Sequence, residues 1–210
     1  MAESDREPAR KTRSIWREYA EAIIIALLLA LFVRTFVVQA FKIPSGSMEP
    51  TLLVGDHLLV SKFIYGIRNP FNGEVWIDIH EPERYDVVVF KYPQNPSQDY
   101  IKRVLGLPGE TVEIRDQQVY IDGRPLADPH AVFRDGAEQP AARPRDNFGP
   151  ITLDPGELFV MGDNRDNSHD SRFWGPVDFT ALKGQAFILY WSWDREERRV
   201  RWHRLGQGVN

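Results

Sequence analysis

The sequence has no cysteine and no surplus of basic residues. Without cysteine, the chain can form no disulfide, no thiolate zinc site and no thiol nucleophile. Its 26 lysines and arginines against 30 aspartates and glutamates give a net charge of −4, which argues against binding to nucleic acid. The mean hydropathy of −0.40 is too low for a protein with many membrane spans. A length of 210 residues favours one domain with room for a small insertion.

One long apolar run departs from this polar average. Residues 22–33 read AIIIALLLALFV, and Arg34 is the single charge between residues 22 and 41. A helix of about 20 apolar residues spans the hydrocarbon core of a bilayer. The predicted divisions of the chain are a tail at 1–18, a transmembrane anchor at 19–41 and a separate domain at 42–210.

The lysine and arginine count predicts the orientation of this anchor. Residues 1–18 contain five such residues, whereas residues 42–61 contain one, Lys42. Because basic residues favour the cytoplasmic side, the tail is predicted in the cytoplasm and the following domain outside the cytoplasmic membrane, in the periplasm if the cell has an outer membrane. Two alternatives stay open, a cleaved signal peptide with small residues near positions 38–40 and a buried core helix.

After residue 41, short runs of β-branched and aromatic residues alternate with turn residues. The predicted strands are 57–64, 85–92, 99–105, 111–115, 118–121, 151–153, 157–161, 185–193 and 199–205. Residues 127–150 are predicted as a long loop, and no helix is predicted outside the anchor. The fold class is therefore mainly β, a coiled or barrel-like antiparallel sheet with a small β insertion at about 110–155, carried on one transmembrane helix.

The first segment with chemical potential follows the anchor directly. Residues 43–52 read IPSGSMEPTL and place Ser45 and Ser47 on either side of Gly46. A glycine there permits a sharp backbone turn that exposes one hydroxyl and aims a backbone N–H at the same point. An ordinary linker would have a similar composition, so this segment alone decides nothing.

The second segment is the predicted strand at 99–105. Side chains alternate faces along a strand, so each face carries one cation, Lys102 or Arg103, among apolar neighbours. A lysine buried in such surroundings loses its proton more readily and becomes a usable base, whereas arginine does not. The alternative is a lysine on the solvent-exposed face.

The third segment, residues 162–172, reads GDNRDNSHDSR and predicts a hydrogen-bonded, partly buried polar network. Its acids do not follow the spacing of an EF-hand calcium loop, and the five histidines contain no HExxH pair. No metal or other cofactor is therefore predicted. A Ser–His–Asp triad built from His57 or His169 with Asp170 stays open.

In order along the chain, these segments resemble the bacterial type I signal peptidases, membrane-bound serine proteases that remove leader peptides. The resemblance rests on the anchor and on the motifs IPSGSMEPTL, GDHLLVSKFIYG, RYDVVVFKYP, DYIKRVLGLPGE and GDNRDNSHDSRFWG. It covers nearly all of residues 20–195. One of these motifs could occur by chance, but the ordered set indicates an enzyme.

The resemblance implies a role for each matching residue. Ser47 matches the nucleophile and Lys102 the general base. Ser45 matches the side-chain donor of the oxyanion hole, beside the Ser47 N–H, and Ser168 matches a hydroxyl that positions the lysine amine. The remaining matches are the acid–arginine pairs Asp170 with Arg172 and Asp163 with Arg103, and the substrate-pocket residues Ile43, Met48, Leu52, Tyr100 and Ile101.

The resemblance also implies substrates and surroundings. The family cuts exported preproteins after small-x-small sequences such as Ala-x-Ala, so the expected partners are signal peptides, membrane lipid and the nearby secretion translocon, with no nucleic acid. We expect the substrate to extend a sheet edge at 99–105 and 41–44. Because residue 47 lies only six residues past the anchor, we also expect residues 63–77 to contact lipid, the alternative being an ordinary hairpin whose apolar side faces the core. Two rival functions are an anchored β-domain that binds peptides without cleaving them and a self-cleaving Ser/Lys protease.

Overall fold

The described part of this computed structural model, residues 15–68, 75–77, 80–134 and 145–209, begins with an apolar helix. Helix α1 (Ile15–Phe32) continues as a π-helical turn, Val33–Val37. This 23-residue stretch contains an 18-residue window with a mean hydropathy of 2.3 and is long enough to cross a membrane. None of its residues is buried against the rest of the chain, so the alternative of a buried core helix is wrong.

The helical stretch ends at Val37, earlier than the expected boundary at residue 41. The next residues form strand β1 (Val38–Lys42), which pairs antiparallel with β2 (Asp56–Ser61). Valine and phenylalanine favour an extended backbone, and the partner strand satisfies the hydrogen bonds that the helix would have supplied. The small residues at 38–40 therefore belong to the sheet.

The described residues form 14 strands and, after α1, one further short α-helix. The other strands are β3 (Ile67–Arg68), β4 (Val75–Ile77), β5 (Val87–Tyr92), β6 (Asn95–Gly106), β7 (Thr111–Arg115), β8 (Gln118–Ile121), β9 (Arg124–Pro125), β10 (Phe148–Thr152), β11 (Glu157–Met161), β12 (Val177–Asp178), β13 (Leu182–Asp194) and β14 (Arg199–Val200). The helix α2 (Ser171–Trp174) is accompanied by 3₁₀ turns at Arg165–Asn167, Phe179–Ala181 and Trp202–Arg204.

The strands assemble into one main sheet and two small ones. The main sheet has the order β1-β2-β13-β5-β6-β11-β12, with β14 added beside β13. A four-stranded sheet, β10-β7-β8-β9, lies within the expected insertion, and β3 pairs with β4. All pairings between these strands are antiparallel, which confirms the mainly β prediction.

Three expectations about the chain after residue 126 need correction. The strand predicted at 199–205 ends at Val200, because the chain turns so that buried Arg204 can reach Asp56, with 2.7 Å between Nη2 and Oδ2. Helix α2 was not predicted, since four residues are too few to show a helical period. The loop predicted at 127–150 ends earlier, as β10 begins at Phe148, and residues 135–144 lie outside the described residues.

Strand β6 runs through the middle of the apolar core. Ile101 packs against a cluster on one side, Val104 belongs to a second cluster, and Leu105 belongs to a third cluster shared with the small sheet. Both faces of the strand are therefore covered. As a result, the consecutive cations Lys102 and Arg103 are both buried, with exposures of 3% and 0%.

Candidate active site

The three segments singled out in the sequence meet at one open cleft of about 550 Å³. One wall comes from the turn after β1, a second from β6 and a third from the loop after β11. The lining residues are Pro44, Ser45, Gly46, Ser47, Asp99, Tyr100, Ile101, Lys102, Asp166, Asn167, Ser168, His169 and Phe173. Residues separated by more than 50 positions thus surround the same space.

At the base of this cleft, Lys102 Nζ donates a hydrogen bond of 2.8 Å to Ser47 Oγ. The same amine donates to the Ile101 carbonyl oxygen at 3.0 Å. Burial lowers the pKa of Lys102 to about 8, although Asp170 and Asp163 oppose this shift by favouring the charged amine. A minor fraction of Lys102 is therefore neutral near neutral pH, far more than for an ordinary lysine, and its lone pair can accept a proton from the serine.

The carboxylate of Asp163 is held by Arg103 in a buried, two-pronged ion pair. Arg103 Nε lies 2.8 Å from Oδ1, and Nη2 lies 2.7 Å from Oδ2. Thr51 Oγ1 donates a further hydrogen bond of 2.6 Å to this carboxylate. The pairing expected between Asp163 and Arg103 is formed, and it joins β6 to the polar loop after β11.

A second ion pair lies within that polar loop. Arg172 Nε and Nη2 each lie 2.8 Å from an oxygen of Asp170, which also accepts a 3.1 Å hydrogen bond from the Gly162 N–H. Although burial opposes the charged carboxylate, the hydrogen bonds and positive charge of Arg172 hold the pKa of Asp170 below its ordinary value. Because each acid has its own arginine, Lys102 forms no ion pair with any described residue and its amine can lose a proton.

Gly162 lies where this polar loop packs against the turn after β1 that contains Ser47. We call that turn, residues 43–52, the nucleophile turn after the expected role of Ser47. A Cβ atom added to Gly162 would lie 2.3 Å from Ser168 Oγ and 2.4 Å from the Ser47 carbonyl oxygen. Only glycine allows this approach, because real Cβ contacts are not so short. Sequence reasoning missed Gly162 as a functional residue, and its position at the start of the polar segment was the available signal.

Comparison with known proteins identifies the family. The model of the family described as signal peptidase, peptidase S26, matches residues 16–191. The chain belongs to the signal peptidase family. A signal peptidase I of Pseudomonas aeruginosa is 38% identical over 206 residues, covering 84% of this chain and 72% of that protein. A probable signal peptidase I-2 of Synechocystis is 35% identical over 195 residues, covering 89% of this chain and 80% of that protein.

As a family member, the chain is a hydrolase of the signal peptidase I type, a serine protease that removes signal peptides. The residues expected to line its substrate pockets fall into two groups. Tyr100 and Ile101 line the cleft. Ile43, Met48 and Leu52 are buried in the core cluster against which Ile101 packs, and their place in the substrate pockets stays a prediction.

The two remaining serines differ in their surroundings. Ser45 is exposed on the cleft wall, two residues before Ser47. Ser168 is buried beside Gly162 and also lines the cleft, but the expected hydrogen bond from its hydroxyl to Lys102 is not formed. The Lys102 amine instead donates to Ile101, the preceding residue of its own strand.

Histidine-based alternatives lack the necessary contacts. His169 borders the cleft, yet its ring packs 4.9 Å from that of Trp174 and 5.1 Å from that of Phe173. His57 Nδ1 contacts the Gly55 carbonyl oxygen at 3.2 Å. In the described ranges, neither histidine hydrogen bonds to Ser47, and no group of three acidic or histidine residues is arranged to hold a metal ion.

Proposed function

We propose that this chain is a membrane-anchored leader peptidase in which Ser47 is the nucleophile and Lys102 the general base, and which cuts exported preproteins after small-x-small sites. The observation that carries this proposal is the 2.8 Å hydrogen bond between Lys102 Nζ and Ser47 Oγ inside a buried site. A nucleophilic serine needs a base within hydrogen-bond reach, and a lysine serves only when its pKa is lowered. The burial of Lys102 meets that requirement.

The reaction follows from this geometry in two halves. Ser47 Oγ attacks the scissile carbonyl while neutral Lys102 takes the hydroxyl proton, and the tetrahedral intermediate then collapses as the lysine returns that proton to the leaving amine. Water, deprotonated in turn by Lys102, hydrolyses the acyl-enzyme and regenerates the serine. No metal or cofactor enters either step.

The oxyanion of the intermediate requires hydrogen-bond donors in the cleft. Within the described residues, the Ser47 N–H donates to no other group, so it is available for this purpose. The exposed hydroxyl of Ser45 lies on the same wall of the cleft and supplies a second donor. Ser168 is proposed to position the lysine amine. Although that hydrogen bond is not formed, the buried Ser168 hydroxyl lines the cleft and has no hydrogen-bond partner within the described residues, so it is available to Lys102.

We expect Ser45→Ala to lower kcat by about 10²–10³-fold without abolishing cleavage, since one of two oxyanion donors remains. KM should change little, because the charge on the oxygen develops only in the transition state. Steady-state cleavage of a preprotein measures both constants. A variant with full activity would show that Ser45 is not a donor.

The pH profile should report the Lys102 titration. Only the neutral amine acts as the base, so kcat/KM should rise about tenfold per pH unit and level off above the Lys102 pKa of about 8. Cleavage rates measured between about pH 6 and about pH 10 at low substrate concentration test this expectation. A midpoint near the ordinary lysine value of 10.5 would contradict the role assigned to burial.

The substrate is proposed to bind as an added strand between two open edges. Strand β5 covers one edge of β6, whereas β11 pairs with β6 only at Arg103, Val104 and Gly106, leaving the backbone of residues 99–102 open on the cleft side. Among the described strands, β1 pairs only with β2, so no described strand covers its outer edge. The preference for small residues would require shallow pockets beside these edges.

A bound peptide should therefore protect backbone amides at both edges from hydrogen exchange. We expect slower exchange for residues 99–102 and 41–44 in Ser47→Ala enzyme saturated with a small-x-small peptide. Helix α1 and the small sheet serve as internal references, since neither contacts the peptide. Unchanged exchange at both edges under saturation would contradict the added-strand arrangement.

The anchor and its orientation complete the proposal. The five basic residues before the apolar helix and the one in residues 42–61 favour an N-terminus in the cytoplasm and a catalytic domain at 42–210 outside it. That side is where preproteins leave the secretion translocon. Contact between lipid and residues 63–77 remains a hypothesis, because residues 69–74 lie outside the described residues.

Preprotein cleavage by the detergent-solubilised full chain tests the function. Wild type and His169→Ala are expected to cut at an Ala-x-Ala site, whereas Ser47→Ala and Lys102→Ala are expected to be inactive. A folded but inactive His169→Ala variant would favour a histidine mechanism. If wild type binds the preprotein without cutting it, the peptide-binding alternative replaces the peptidase. The apolar helix disfavours the self-cleaving relatives, which carry a DNA-binding domain in place of an anchor.

A further inference from the structure

Asn164 contacts the backbone on both sides of the nucleophile. Its backbone N–H donates to the Ser47 carbonyl oxygen at 3.1 Å, and its side-chain Nδ2 donates to the Gly46 carbonyl oxygen at 3.1 Å. Asn164 is only 2% exposed, so water does not compete for these contacts. One residue of the polar loop thus holds two consecutive carbonyl groups of the nucleophile turn.

The Gly46 carbonyl and the Ser47 N–H belong to the same peptide unit. Because that unit is planar, a donor that fixes the direction of the carbonyl also fixes the direction of the N–H on the opposite side. A hydrogen bond accepted by the carbonyl further polarises the amide and makes its N–H a stronger donor. The Glu49 N–H reinforces this effect with a second hydrogen bond to the Gly46 oxygen at 3.2 Å.

We infer that Asn164 is a positioning residue that orients and polarises the Gly46–Ser47 peptide unit, whose N–H stabilises the oxyanion during cleavage. This inference rests on the proposed function of Ser47. Asn164 itself touches no reacting atom. It acts through the Ser47 N–H, which makes no other hydrogen bond in the described part of the chain and is free to bind the oxyanion.

The other half of the Asn164 amide supports this assignment. Its Oδ1 atom is buried and accepts no hydrogen bond from the described residues. Burying such an oxygen unpaired is unfavourable, so an asparagine kept only to stabilise the fold would be expected to use it. Of the side-chain amide, only Nδ2 forms a hydrogen bond within the described residues, and its acceptor is the Gly46 carbonyl oxygen of the Gly46–Ser47 peptide unit.

Asn164→Leu in the full-length, detergent-solubilised enzyme tests the inference. Leucine matches the shape of asparagine, adds no charge and removes the Nδ2 donor, while the backbone contact to Ser47 remains. We expect kcat for preprotein cleavage to fall about 10–10²-fold, less than the loss of a whole oxyanion donor, with KM within about twofold. The pH midpoint of kcat/KM should not move, because Lys102 keeps its charged neighbours.

A second measurement separates the oxyanion from ground-state binding. A small-x-small peptide aldehyde forms a tetrahedral adduct with Ser47, whereas the matching peptide alcohol cannot. Asn164→Leu should weaken inhibition by the aldehyde by about the same factor as kcat and leave inhibition by the alcohol unchanged. Asn147→Leu, at an exposed position just before β10, serves as the matched control and should behave as wild type.

The outcomes are distinguishable. A general structural role would replace the inference if Asn164→Leu weakened inhibition by the aldehyde and by the alcohol equally. The same holds if the variant raised KM with kcat unchanged, or shifted the pH midpoint of kcat/KM. If leucine prevents folding, Asn164→Ala removes the same donor with less crowding and must show the same split between kcat and KM. Loss of cleavage by wild type itself would instead contradict the proposed function.

Discussion

Lys102→Arg is expected to abolish preprotein cleavage while the enzyme remains folded. Arginine keeps the positive charge and the length of the side chain, but its pKa is too high for it to accept the Ser47 proton. General-base catalysis contributes about 10²–10⁴-fold, and here the same group also returns the proton to the leaving amine. We therefore expect kcat to fall at least to the upper end of that range.

Single-turnover cleavage with excess enzyme measures this loss, and thermal unfolding establishes that the variant is folded. Lys91→Arg, at the one exposed residue of β5, provides the matched control and should cut at the wild-type rate. If Lys102→Arg retained more than a few per cent of wild-type activity, Lys102 would act as a charge and not as the base.

Gly162→Ala is expected to lower activity by about 10²-fold or more, together with stability. The added Cβ would lie 2.3 Å from Ser168 Oγ and 2.4 Å from the Ser47 carbonyl oxygen, so the nucleophile turn or the polar loop must move. Misplacement of a reacting group by about 1 Å can cost about 10²-fold in rate. Overpacking of this kind also typically costs about 1–3 kcal/mol of folding free energy.

Gly106→Ala separates these two effects. Its Cβ would lie 2.6 Å from Val112 Cγ2 in the core shared with the small sheet, away from the cleft. Both variants should unfold at a lower temperature than wild type, yet only Gly162→Ala should lose most of its kcat when assayed well below that temperature. Comparable kcat for the two folded variants would show that the close approach at Gly162 serves packing alone.

Strand β6 illustrates how much of the site could be predicted from the sequence. Alternation places one cation on each face of residues 99–105, and the polar segment after β11 predicts a buried network. Alternation does not predict which of the two, Lys102 or Arg103, forms an ion pair with a carboxylate. Arg103 meets Asp163, 60 residues later, whereas Lys102 meets Ser47, 55 residues earlier, and only the folded chain separates the two outcomes.

The residues that sequence reasoning missed act through close contacts between distant segments. Asn164 and Gly46 are 118 positions apart, and their contact depends on how the polar loop crosses the nucleophile turn.

Strand β1 joins the membrane helix to the nucleophile turn with no intervening linker. Its five residues extend roughly 17 Å at the usual rise of a strand, and Ser47 follows five residues later. On the proposed function, the anchor would set the height of the scissile bond above the bilayer. A preprotein whose apolar segment ended too near its cleavage site or too far from it would then not reach Ser47, and distance would select substrates as well as side-chain size.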